Sequence, residues 1–131
     1  MRTILFGVLM LGAASVWADW VKVAETRDTV YYVDPASISD KGDFRRASVV
    51  QDYAIQEPGG TRSRRVSYEV DCAGGRLRSV AATEYTEPMV QGMSANSWER
   101  ESEWLYVAPR TGSNIASRTP YRAILGFVCS R

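Results

Sequence analysis

Apolar and polar side chains alternate most sharply between Arg64 and Cys72. Val66, Tyr68, Val70 and Cys72 fall on one side of an extended chain, and Arg65, Ser67, Glu69 and Asp71 on the other. That period of two predicts a strand with one buried face. Shorter stretches read the same way. Trp20 to Glu25 sets Val21 and Val23 opposite Lys22, and Thr29 to Val33 is rich in strand formers. Asp34-Pro35 ends that run, because proline cannot donate to a ladder and restricts the residue before it. Ser37 to Gly42 reads as a turn region and Phe44 to Tyr53 as the next strand. Glu57-Pro58-Gly59-Gly60 predicts a flexible hairpin loop, and Gly74-Gly75 turns the chain into a long strand from Leu77 to Thr86. Ser94 to Glu103 is polar, and within it the glutamates between Trp98 and Trp104 read as a solvated strand face or loop. Trp104 to Val107 is a further apolar strand, closed by Pro109. Short strands separated by turn residues predict an antiparallel sheet.

The period changes near the C-terminus. Thr119 can cap a helix, and Pro120 suits its first position. Tyr121, Ile124, Leu125, Val128 and Cys129 then recur at three-and-four spacing, one face of a helix. Gly126 lowers helix propensity by about 1 kcal/mol relative to alanine, so packing must hold this segment. Cys129 falls on the buried stripe of the helix and Cys72 on the apolar face of a strand. Both thiols are therefore expected to point into one core, pinning the helix to the inner face of the sheet.

The first 18 residues have the parts of a secretory signal. Arg2 supplies positive charge, Ile4 to Leu11 a short apolar core, and Val16-Trp17-Ala18 a cleavage site before Asp19. The apolar run is shorter than the roughly 20 residues a bilayer span needs. No second segment is long enough either, so no membrane span is expected in the mature chain. No cysteine near the cut offers a lipid-anchor site. The expected organisation is a signal peptide, 1–18, and one domain, 19–131, in the periplasm, secreted or at the cell surface. Without Arg2 the chain has 15 basic and 15 acidic residues. That balance argues against nucleic acid, whose binding needs many unbalanced cations. In an oxidising compartment the two cysteines, Cys72 and Cys129, are expected to pair. Two thiols are too few for a zinc site, and their spacing is unlike a redox C-x-x-C pair.

The chain contains no histidine. That removes the commonest general base and metal ligand and every Ser-His or Cys-His nucleophile arrangement. No phosphate-binding glycine loop or nucleophile elbow occurs. Glu99, Glu101 and Glu103 would share a strand face, but a calcium loop needs more oxygen ligands and a glycine turn. No catalytic residue, metal or cofactor is expected. The candidate partner-binding residues are arginines and one tryptophan. Arg62, Arg64, Arg65, Arg76 and Arg78 gather around one hairpin, with Arg45 and Arg46 on a neighbouring strand. Such a group could grip carboxylate or sulfate groups bidentately, or be a soluble sheet surface with ion pairs to Glu69 and Asp71. Trp20, Tyr31, Tyr32, Tyr53, Tyr68, Tyr85 and Trp104 read as core or sheet-face packing. Trp98, in a polar stretch, is the candidate exposed anchor.

Several residues together carry a resemblance. They are Trp20, Tyr31-Tyr32-Val33-Asp34, Asp52-Tyr53, Tyr68-x-x-Asp71-Cys72-Ala73, Arg76-x-Arg78, Tyr85, Pro88-Met89 followed by Gly92, Trp104, Pro109 and Cys129. In this order they make the chain similar to the bacterial surface-adhesin protein E-like family. The Tyr-x-x-Asp-Cys-Ala element followed by Arg-x-Arg is the most specific part. The chain departs from the family pattern between Arg110 and Arg122, where extra residues precede the helix. The resemblance implies an α+β fold: a small curved antiparallel sheet of about six strands, with a C-terminal helix disulfide-tethered to its concave face. It also implies a bacterial envelope setting, a homodimer, and a non-enzymatic role in contact with a protein or anionic matrix partner. Two other roles fit the residues: a periplasmic structural or envelope-accessory protein, and a small-ligand binder using the space between helix and sheet.

Overall fold

The computed structural model describes residues 19–107 and 115–131, with side chains of the helix described from Thr119 onward. The expected signal peptide and the Pro109 strand end lie outside the described residues. Strands β1 (Val21–Glu25), β2 (Thr29–Val33), β3 (Ser39–Lys41), β4 (Phe44–Tyr53), β5 (Ser63–Asp71), β6 (Arg76–Glu87), β7 (Gln91–Glu99) and β8 (Leu105–Tyr106) precede one helix, α1 (Ile115–Cys129). The sheet is antiparallel in the order β1-β2-β4-β5-β6-β7. β3 pairs with β4, and β8 with β6.

Register explains where the core sits. Tyr31 and Val33 on β2, Ala47 and Val49 on β4, Val66, Tyr68 and Val70 on β5, and Leu77 and Ala82 on β6 line up on one face. Ile124 and Val128 of α1 close that face and are fully buried. Tyr121 packs edge-on to both Tyr31 and Tyr68. The helix thus covers one side of the sheet, and the strand alternation leaves the other side mainly to polar residues, with Val50 buried among them.

The expected strand pattern is present, with four differences. Where a turn was expected over 37–42, a 3-10 turn, Pro35–Ser37, capped by the Asp34 side chain, has just ended and the short strand β3 follows. The polar stretch at 91–99 is a full strand, all nine residues exposed. Its ladder to β6 supplies the order that its own side chains do not. The helix begins at Ile115, so Thr119 and Pro120 lie inside it rather than at its start. Proline there forfeits one backbone bond.

The fourth difference concerns the disulfide. Cys72 and Cys129 are bonded, with their Cα atoms 5.7 Å apart. Cys72, however, is one residue past the end of β5, in an exposed turn, and Cys129 is half-buried. The bridge ties the helix to the sheet as expected, with Cys129 packed against the core but Cys72 outside it at the end of the sheet. The turn explains the displacement. Asp71 accepts from the Gly74 amide at 2.9 Å and from Arg76 Nε at 2.7 Å, which curls the chain at once. A Cβ on Gly74 would meet Asp71 Oδ2 at 2.4 Å, so this close approach needs glycine.

Candidate functional site

The uncovered face of the sheet is built from three rows running across the strands. Arg46, Glu69 and Arg78 form the first, Ser48, Ser67, Ala81 and Glu99 the second, and Val50, Arg65, Thr83 and Ser97 the third. The middle row is mostly small, so it forms the floor of a trough between longer side chains. Two open depressions, of about 260 and 470 Å³, share Ser67 and Ala81 in that floor. Arg65 stands at the rim of the first, Arg46 and Arg100 at that of the second.

The arginines expected to act as one patch are divided between the two faces. Arg64 lies on the helix side, opposite Gln51 and Glu84. Its guanidinium donates to Glu84 at 2.8 Å and lies over the rings of Tyr53 and Trp98 at 5.9 and 5.5 Å. Glu84, also bonded by Asn96, is held below the usual carboxylate range chiefly by the Arg64 bond. Arg65, one residue on, is exposed on the opposite face and makes no ion pair among the described residues. Arg62 is half-buried beside Thr61, its backbone bonded to Tyr53 and Tyr85.

Arg76 and Arg78 are occupied. Arg76 pairs with Asp71 at 2.7 Å, and Arg78 with Glu69 at 2.7 Å and Glu101 at 3.5 Å. Trp104 sits between them, its ring centre 4.1 and 4.2 Å from the two guanidinium carbons, with Phe44 edge-on at 5.1 Å. The ion pairs to Glu69 and Asp71 are those the sequence led us to expect. The sandwich with Trp104 is not readable from spacing, because it joins residues nearly thirty positions apart. It packs Trp104 against β6, beside Phe44 of β4. Trp98, the expected anchor, is 37 % exposed, and Arg64 lies across its ring.

On the helix side a polar chain runs into the core. Tyr53 donates to Gln51 Oε1 at 3.2 Å, and Gln51 Nε2 donates to Tyr68 at 3.0 Å. Burial pushes Tyr31 and Tyr53 up to about 12 and Tyr68 further still. These groups stay neutral and protonated at physiological pH, so they serve as hydrogen-bonding struts. The depression between helix and sheet, lined by Tyr68, Leu77, Ser79, Glu103, Leu105 and Tyr121, measures about 160 Å³. That is below the roughly 300 Å³ at which ligand pockets begin. Among the described residues no group of three or more His, Cys, Asp or Glu could hold a metal, and no helix is long and apolar enough to cross a membrane.

Comparison with known proteins adds to this geometry. A family model described as surface-adhesin protein E matches residues 20–130. Solved structures of Haemophilus influenzae protein E share the fold. Its crystal form II gives a TM-score of 0.61 at 23% identity, covering 88% of this chain and 90% of that one. A second structure gives 0.60 at 22%, covering 88% and 86%. Protein E from non-typeable Haemophilus influenzae gives 0.54 at 19%, covering 87% and 82%. None of the curated protein sequences matches the chain.

Proposed function

Because this chain belongs to the surface-adhesin protein E family, we propose that it is an exported, non-catalytic module that holds an anionic partner on the uncovered face of its sheet. Arg65 carries the reading. It is an exposed cation that makes no ion pair among the described residues, at the rim of a trough floored by Ser48, Ser67 and Ala81. Guanidinium groups bind carboxylate and sulfate in a planar fork, and a floor of small residues lets a partner approach closely. Arg100 extends the same rim, whereas Arg46 beside it already reaches Glu69 at 3.3 Å. Arg64, Arg76 and Arg78 support the surface from within, since each already has a carboxylate or ring to satisfy it. The signal segment, cut before Asp19, delivers the domain to the periplasm or beyond.

Retention on heparin or a sulfated matrix tests this. Arg65→Ala, combined with Arg100→Ala, should abolish salt-sensitive retention while leaving the melting temperature unchanged. Arg64→Ala should leave retention intact but lower stability. Retention that follows Arg64 instead of Arg65 would place the contact on the wrong face. Protease accessibility on intact cells separates surface display from a periplasmic location.

A further inference from the structure

The sheet has two edges, and they are guarded differently. β1 is short, its register shifts between Lys22 and Ala24, and Lys22 is ion-paired with Glu25. Short length, irregular register and charge are the devices that discourage strand pairing at an edge. β7 also shifts register, twice, against β6 around Tyr85, but it is nine residues long and lacks charge along most of its length. All nine of its residues are exposed, and Gln91 to Trp98 contains no charge and no proline. Among the described residues no strand pairs with its outer side.

Charge selects what could pair there. From Glu87 to Glu103 the chain carries Glu87, Glu99, Glu101 and Glu103 against a single cation, Arg100. Glu101 reaches Arg78 only at 3.5 Å and stays largely exposed. The acids therefore flank an uncharged centre. Two copies paired along this edge would bring two net-negative edges together. Like charges placed directly opposite destabilise a strand pair. A strand with an uncharged, β-forming centre and basic ends meets no such penalty. We infer that β7 accepts an extended segment of another protein as an added strand, one that is uncharged at its centre and basic at both ends. Backbone bonds along β7 supply the affinity, and the carboxylates at its ends supply the selection. This edge adjoins the depression that Glu99 and Glu101 line with Arg46 and Arg100, and it prefers the charge opposite to that held at Arg65.

The test titrates the full exported protein with the peptide Lys-Arg-Thr-Val-Thr-Val-Arg-Lys. Two controls carry Glu at the four basic positions, or Pro in place of the central Thr. Amide exchange followed by NMR reports where each peptide binds. The basic peptide should slow exchange at β7 amides, and the controls should not. Glu99→Lys with Glu103→Lys should weaken binding about tenfold, with loss at high salt. Arg65→Ala should leave this binding unchanged, so the outcome is separate from that of the trough. The idea fails on equal binding of the acidic peptide, on protection away from β7, or on no binding at all. It also fails if sedimentation shows a dimer that itself protects the β7 amides.

Discussion

Tyr68 illustrates how single buried side chains hold this molecule together. Its hydroxyl accepts from Gln51 deep in the core, and Gln51 in turn accepts from Tyr53. Tyr68→Phe removes the acceptor and strands the Gln51 amide away from water. The expected cost is about 1–3 kcal/mol, read from urea unfolding. The same cluster sets an alkaline limit. Unfolded tyrosine ionises near pH 10, whereas Tyr31 and Tyr53 in the folded chain hold their protons to about 12 because they are buried. The unfolded state therefore releases protons first. The contribution is complete below about pH 10 and is lost between about 10 and 12, as urea midpoints across that range will show. A flat stability through this window would mean that the tyrosines are not buried as described. Arg64 and Arg65 make a matched pair at this scale. Arg64→Ala loses the Glu84 bond and both ring contacts, whereas Arg65→Ala should stay within about 0.5 kcal/mol of the parent. Which of the two was structural could not be read from the string Arg-Arg. Alternation places them on opposite faces, but only the strand register shows which face has an acid waiting.

At the scale of elements, two junctions decide how the pieces hold. The first is the turn between β6 and β7, where Met89 and Val90 adopt left-handed backbone at φ 55° and 53°. For a β-branched residue that conformation is an outlier, with a cost on the order of 1–2 kcal/mol. Three hydrogen bonds offset it. Asp52 accepts from the Met89 amide at 2.9 Å, and Ser63 accepts from the Val90 amide at 2.8 Å and donates to the Glu87 carbonyl at 2.6 Å. Ser63 is fully buried, so Ser63→Ala should cost about 1–3 kcal/mol and loosen amide protection from Pro88 into β7. Protection unchanged there would separate the turn from its supports. The second junction is the C-terminal end of α1. The disulfide closes a loop with a sequence separation of 57, worth roughly 4 kcal/mol in chain entropy. Arg45 adds a non-covalent clasp, donating to the carbonyls of Val128 at 2.8 Å and Arg131 at 2.5 Å. Reduction should therefore speed exchange in α1 before β4 or β5, and Arg45→Ala should speed it further in the reduced protein. Exchange that rises first in the central strands would contradict this order.

For the whole molecule, the helix functions as the second layer. Its packing joins the last segment of the chain to β1, β4, β5 and β6, so the sheet buries its apolar face only when the C-terminus arrives. Ile124→Ala at the centre of that layer should cost about 2–5 kcal/mol. Deleting 115–131 should leave a chain that binds hydrophobic dyes and melts without a sharp transition. A cooperative transition in the truncated chain would show that the sheet is stable by itself. The two surfaces proposed for contact are the polar face with Arg65 at its trough and the open edge of β7.

The strands carrying period-two patterns, the apolar stripe of the helix and the pairing of Cys72 with Cys129 were all determined by the amino-acid sequence, because alternation and spacing are local properties of the chain. The ion pairs to Glu69 and Asp71 were equally legible, since their partners lie on adjoining strands of one hairpin. Only tertiary structure decided that Ser94 to Glu99 is ordered as strand, that Trp104 is gripped by Arg76 and Arg78, and that the disulfide sits at the exposed end of the sheet. Each depends on register between segments distant in sequence. Register is set by the combined packing of the sheet, and no single segment records it.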